Sequence, residues 1–154
     1  MIPLKRTTMK KLILITLIFP LILMAQTPFI LTGIKKVYPM VELNTKRLDP
    51  ALKEVVMKKL LDTTKRLHID TTGYSHRSLV VMINSSMVKD TLVFKILLIM
   101  GEEMKRLDDD EECFAFSYVA SDSIEYDDFD EEIIESVEFL LEQFEEQYIE
   151  DNES

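Results

Sequence analysis

Apolar and polar residues repeat along this chain with two periods, near 2 and near 3.6, and the switches between them outline six elements. From Ile34 to Leu43 the apolar residues Val37, Val41 and Leu43 share one parity, while Lys36 and Glu42 hold the other, as in a half-buried strand. Pro39 lies on the apolar parity and cannot donate to a ladder, so this strand belongs at an edge or carries a bulge. Asp49-Pro50 then starts a helix, since Asp caps free backbone N–H groups and Pro at the first helical position has none to lose. Leu52, Val55, Val56, Leu60 and Leu67 follow at helical spacing, with Lys53, Lys58, Lys59, Lys65 and Arg66 between them. This predicts a basic amphipathic helix of about five turns. It should stop near Ile69, because Asp70 to Gly73 is turn chemistry.

Leu79 to Ile83 is a continuous apolar run of strand length, ended by Asn84-Ser85-Ser86, and a second run from Leu92 to Met100 is closed by Gly101. Residues 108 to 112 read as a solvated turn. Cys113 to Ala120 then alternates, with Phe114, Phe116 and Tyr118 on one expected face and Ala115, Ser117 and Val119 on the other. In the last element Phe129, Ile133, Ile134, Val137, Leu140, Leu141, Phe144 and Tyr148 repeat with helical period, and Leu140 and Phe144 stand at the centre of that stripe. Asp128, with Glu131 three residues on, resembles a capping box. The order β-α-β-β-β-α predicts an α+β two-layer sandwich, a four-stranded, mostly antiparallel sheet covered on one face by two amphipathic helices. Residues 34 to 150 form its single domain, residues 26 to 33 a lead-in and residues 151 to 154 a disordered tail.

Before that domain stand basic residues (Lys5, Arg6, Lys10, Lys11), an apolar run from Leu12 to Met24, and Ala25 followed by Gln26. This is the order of a secretory signal, with cleavage expected near Ala25 and the mature protein placed in the periplasm of a Gram-negative bacterium. The apolar run is shorter than the roughly 20 residues that span a bilayer, and Pro20 would kink it. No stable membrane anchor is expected after cleavage. Met9 opens a more compact signal of the same kind and competes with Met1 as the start.

Charge sharpens the picture. Residues 1 to 25 hold four basic residues and no acid, so the remaining 129 residues carry 14 Lys/Arg against 28 Asp/Glu. Residues 26 to 100 hold 12 Lys/Arg and 6 Asp/Glu, whereas residues 101 to 154 hold 2 and 22. Such a balance excludes the Lys/Arg surface that nucleic-acid phosphates need. It favours a basic partner, for instance a basic envelope protein, or a divalent cation. The acidic face of the last helix, including Glu135, Glu138, Glu142 and Glu145, is the expected partner-binding surface. In the cation reading, Asp108, Asp110 and Glu112 are the candidate ligands, with the run at residues 127 to 131 beside them. The first run lacks both the turn glycine and the closing Glu of a helix-loop-helix calcium site.

Catalysis has little to build on. Cys113, His68 and His76 are the only Cys and His residues, and nothing in their spacing joins them. The lone Cys113 allows no intramolecular disulfide. No Gly-x-Ser-x-Gly or His-Glu-x-x-His pattern occurs, and three glycines leave no phosphate-cradling loop, so no cofactor is expected.

The strand-helix-meander-helix order over residues 34 to 149, on an exported chain, resembles the small accessory domains of the bacterial envelope, such as the N-terminal domain of TolB and related outer-membrane assembly lipoproteins. The resemblance is one of element order and compartment; the chain has no lipobox Cys. It implies a non-catalytic envelope accessory or interaction protein. The alternative is a divalent-cation or small-ligand binder using the acidic segments 108 to 112 and 127 to 131.

Overall fold

The computed structural model describes residues 31–125 and 130–153. The signal segment, residues 26–30 of the expected lead-in, the expected cap Asp128 with its neighbours Asp127 and Phe129, and Ser154 lie outside the described residues. Six elements follow in order: β1 (Tyr38–Asn44), α1 (Leu52–Arg66), β2 (Arg77–Val88), β3 (Thr91–Lys105), β4 (Glu112–Glu125) and α2 (Asp130–Asn152). The strands form one sheet in the order β1-β2-β3-β4. α1 carries the chain back across the sheet, so β1 and β2 run parallel; β3 and β4 then add as antiparallel neighbours. This is the architecture that the periodicities predict, and Pro39 sits on an edge strand.

Both helices pack on the same face. α1 lies on β1, α2 on β3 and β4, and the two helices touch. Between the layers, Leu79, Val81 and Ile83 of β2 and Phe94, Ile96, Leu98 and Met100 of β3 meet Val56 and Leu60 of α1 and Ile133, Val137, Leu140 and Phe144 of α2. Leu140 and Phe144 are buried, and Phe144 meets the Tyr118 ring edge-on at 5.3 Å between centroids.

Local chemistry sets the ends of α1. The Asp49 carboxylate accepts the Ala51 N–H at 2.9 Å, and Leu52 N–H donates to the Asp49 carbonyl. The helix ends at Arg66, three residues before the expected Ile69, because His68 turns into the left-handed region (φ 56°) and Ile69 N–H closes back onto the Thr64 carbonyl.

The strands outrun their predicted lengths. Asn84-Ser85-Ser86 does not end β2, and Gly101 does not close β3. The ladder continues to a two-residue hairpin at Lys89-Asp90, with Lys89 at φ 54°. Polar residues fit there because they have partners: Asn44 Nδ2 donates to Asn84 Oδ1 at 3.0 Å, and Ser85 Oγ to Thr45 Oγ1 at 2.8 Å.

Gly101 marks a bulge instead. Met100 pairs with Tyr118 but Gly101 pairs with Phe116, so Ser117 is an extra residue and the facing of β4 flips there. The expected common face of Phe114, Phe116 and Tyr118 is therefore split. Tyr118 turns into the core, while Phe114 and Phe116 stay 57% and 62% exposed on the other side. The Ser117 hydroxyl, buried in the bulge, has no hydrogen-bond partner among the described residues. A Cβ on Gly101 would stand 2.2 Å from the Phe114 ring, which lies across the glycine.

The expected lead-in and tail are both structured where they are described. Leu31 is fully buried, and its N–H donates to the Asp151 carboxylate at 2.6 Å. Gly33 N–H donates to Asn152 Oδ1, the Asn152 amide donates back to the Leu31 carbonyl, and the Tyr148 hydroxyl donates to the Ile34 carbonyl. One acid at the end of α2, Asp151, unfavourable to the helix dipole, thus serves as an acceptor for Leu31.

Candidate functional site

The acidic outer surface of α2 is the first candidate. The apolar stripe of α2 faces the sheet, so its glutamates turn outward: Glu131, Glu135, Glu138, Glu142 and Glu146 are exposed. α1 lies alongside and meets only one flank. Lys59 forms an ion pair with Glu138. Arg66 grips Glu145 with two bonds, Nε to Oε1 at 3.1 Å and Nη2 to Oε2 at 2.5 Å. Glu145, expected on the free acidic surface, is half-buried and held by this guanidinium, which keeps its carboxyl below the ordinary value and raises the Arg66 value in return. A groove lined by Lys59, Asp62, Thr63 and Arg66 on one side and Glu138, Leu141 and Glu142 on the other runs between the helices. Of the four glutamates read from the sequence, Glu135 and Glu142 have no ion-pair partner among the described residues.

The acidic run before β4 does not assemble into a metal centre. Arg106 reaches Asp109 at 2.8 Å and Glu111 at 2.6 Å, and Lys105 lies 3.9 Å from Asp110. Asp110 sits at φ 59°, where the loop turns back so that Arg106 N–H bonds the Glu111 carbonyl. The run closes a hairpin around its two neighbouring cations. Asp108, Asp110 and Glu112 do not converge, and among the described residues no group of three or more His, Cys, Asp or Glu side chains is placed to hold a metal ion.

His68, His76 and Cys113 stay apart in role. His68 is the left-handed residue after α1, and Cys113 is a half-buried thiol early in β4. His76 joins a surface cluster that sequence reasoning missed: its Nδ1 lies 2.5 Å from Glu103 Oε2, and the Tyr74 hydroxyl donates to Glu103 Oε1 at 2.7 Å. Those bonds, the His76 one first, hold the Glu103 carboxyl below its ordinary value, and the bond to Glu103 raises Tyr74. All three side chains are exposed, as solvated surface polar groups are.

The second face of the sheet is the other feature that the sequence reading did not single out. No described helix packs on it. Met40, Val80, Ile99 and Val119 form one cross-strand row there, in register over all four strands. The signal was present: Leu79 to Ile83 and Leu92 to Met100 are runs, not alternations, so both parities are apolar.

No protein-family model matches the chain, and no curated protein matches it. Among solved structures, a minor lipoprotein from Acinetobacter baumannii is similar at 13% identity over 75% of this chain and 90% of that one, with a TM-score of 0.24. A score that low carries no argument about fold or function, and the TolB-like resemblance does not rest on it. Among the described residues, no helix is long and apolar enough to cross a membrane.

Proposed function

We propose that this chain is exported, is cleaved near Ala25, and works in the Gram-negative periplasm as a non-catalytic accessory or interaction protein of the envelope. The ordered basic, apolar and small-residue segments at its start support export. A binding role rather than an enzymatic one is supported by the separate elements that carry His68, His76 and Cys113.

One observation carries the binding surface: α1 answers only one flank of α2, through Lys59 and Arg66, and leaves Glu131, Glu135, Glu142 and Glu146 facing water. Such a surface steers a basic partner and sets its on-rate. In the test, partners captured from periplasmic extract by the wild-type chain are compared with those captured by Glu135→Lys and Glu142→Lys. The expected result is capture that weakens with added salt and with either reversal, at unchanged melting temperature. Capture indifferent to both would contradict the reading. A melting temperature raised by calcium would favour the cation-binding alternative.

A further inference from the structure

The open face of the sheet is largely apolar over three cross-strand rows. Its central row is Met40–Val80–Ile99–Val119; the rows beside it are Tyr38–Ser78–Gly101–Phe116 and Glu42–Met82–Leu97–Ser121. Tyr38 and Phe116 stand at the two edges of the first side row, with Ser78 between them and the Phe114 ring lying across Gly101. Glu42 is the one charge in these twelve positions. Lys95 lies one row further on, and Glu103 pairs with Phe114 at the other end.

We propose that this face is a homodimer interface, in which two copies pack sheet on sheet with β1 of each over β4 of its partner. A two-fold axis along the strands maps the central row onto itself reversed. Met40 then lies over the partner's Val119, and Val80 over the partner's Ile99. Tyr38 covers the partner's Phe116, and Glu42 meets the partner's Ser121, a hydroxyl that can donate to it. Turning the axis across the strands would crowd Phe114 and Phe116 of both copies along one side and leave the β1 edges apart. Aligned packing at about −30° is the ordinary way two twisted sheets close on each other.

The occupant follows from charge and area. A basic partner has little to bind here: Glu42 and Glu103 are the acids in these rows and the next, and Glu103 is already held by His76 and Tyr74. Tyr38, Phe114 and Phe116 are 47%, 57% and 62% exposed. At about 150 to 250 Å² per aromatic ring, these three offer on the order of 300 Å². With the half-buried aliphatic residues, each copy brings on the order of 500 Å², so complete burial of both faces would remove about 1,000 Å², the floor for a specific interface.

Analytical ultracentrifugation of the exported protein tests this at about 100 µM, a concentration that populates even a micromolar dimer. Twice the monomer mass is expected. Val119→Lys and Phe116→Glu should each fall to the monomer mass with circular dichroism unchanged, while Glu135→Lys on α2 leaves the dimer intact. In a Cys113→Ser background, oxidation should cross-link Met40→Cys/Val119→Cys but not Val119→Cys alone; this readout stands even where a charged variant fails to fold. A monomeric wild type would overturn the proposal, as would a dimer indifferent to both substitutions. So would a wild-type monomer that instead binds vesicles of bacterial phospholipid. The acidic-face reading survives any of these outcomes, since it rests on α2.

Discussion

The two faces of one sheet are built from the same strands, yet among the described residues only one is covered by helices. On the helix-covered face Leu79, Ile83, Phe94, Ile96 and Met100 have no exposed surface. On the other, residues of similar chemistry one position along, such as Val80, Met82 and Leu97, remain half-exposed beside Phe114 and Phe116. Alternation in a strand says that two faces exist; it does not say that both meet a layer of the same chain. A strand that is apolar on both parities has two faces to cover, and the described residues cover one.

The largest effect that separates the faces is core truncation. Phe144→Ala should cost about 3 to 5 kcal/mol in urea unfolding, because it empties a site packed by Tyr118 and the β3 side chains. Phe116→Ala, measured on dilute monomer, should cost less than about 1 kcal/mol. Equal losses would mean that the open face is covered within the monomer.

The next effect lies at the closure of the covered face. Asp151→Ala leaves the part-buried N–H of Leu31 without its acceptor, and a cost of about 1 to 3 kcal/mol is expected. Hydrogen exchange at Leu31 should accelerate with it; a protected amide would show that the clasp is dispensable.

On the open side, Gly101→Ala forces the Phe114 ring outward, since the new Cβ stands 2.2 Å from it. A loss of about 1 kcal/mol is expected, shrinking toward zero in a Phe114→Ala background. A loss unchanged by Phe114→Ala would place the strain in the bulge itself.

The smallest effect is the pH dependence of the helix flank. Arg66 holds the Glu145 carboxyl below its ordinary value. A carboxyl lowered by folding adds stability that is complete above its unfolded value, about 4.3, and is lost as pH falls through its folded value. The stability gap between wild type and Glu145→Gln should therefore be flat from neutrality to about pH 5 and close below about pH 4, with a size under about 1 kcal/mol because Arg66 is largely exposed. A gap that widens on acidification would contradict the pair.

Much of this fold is legible in the chain. Pro39 marks an edge, Asp49-Pro50 a helix start, and the stripe through Leu140 and Phe144 a core helix, because each rests on local chemistry or a sustained period. Three features escape local reading. The flip at Ser117 depends on which residue of β3 faces it, and only the pairing of Gly101 with Phe116 reveals that. The strand ends at Ser86 and Gly101 look like stops until their partners across the ladder are known. The clasp joins residues 120 apart, and Asp151 and Asn152 read as tail because composition says nothing of the amides that await them. The site divides the same way. The exposure of Glu135 and Glu142 follows from helical period, but the capture of Glu145 by Arg66 needs the approach of two helices, and the Tyr74–His76–Glu103 cluster needs the register of β3.

Hydroxyl-radical footprinting read at four aromatic residues tests the division of faces most directly. In dilute monomer, Phe114 and Phe116 should label strongly while Tyr118 and Phe144 stay protected, and raising the concentration should protect Phe116 alone or with Phe114. Phe116 as protected as Phe144 in the dilute protein would contradict an open face, and labelling of Phe116 that ignores concentration would contradict its pairing with a second copy.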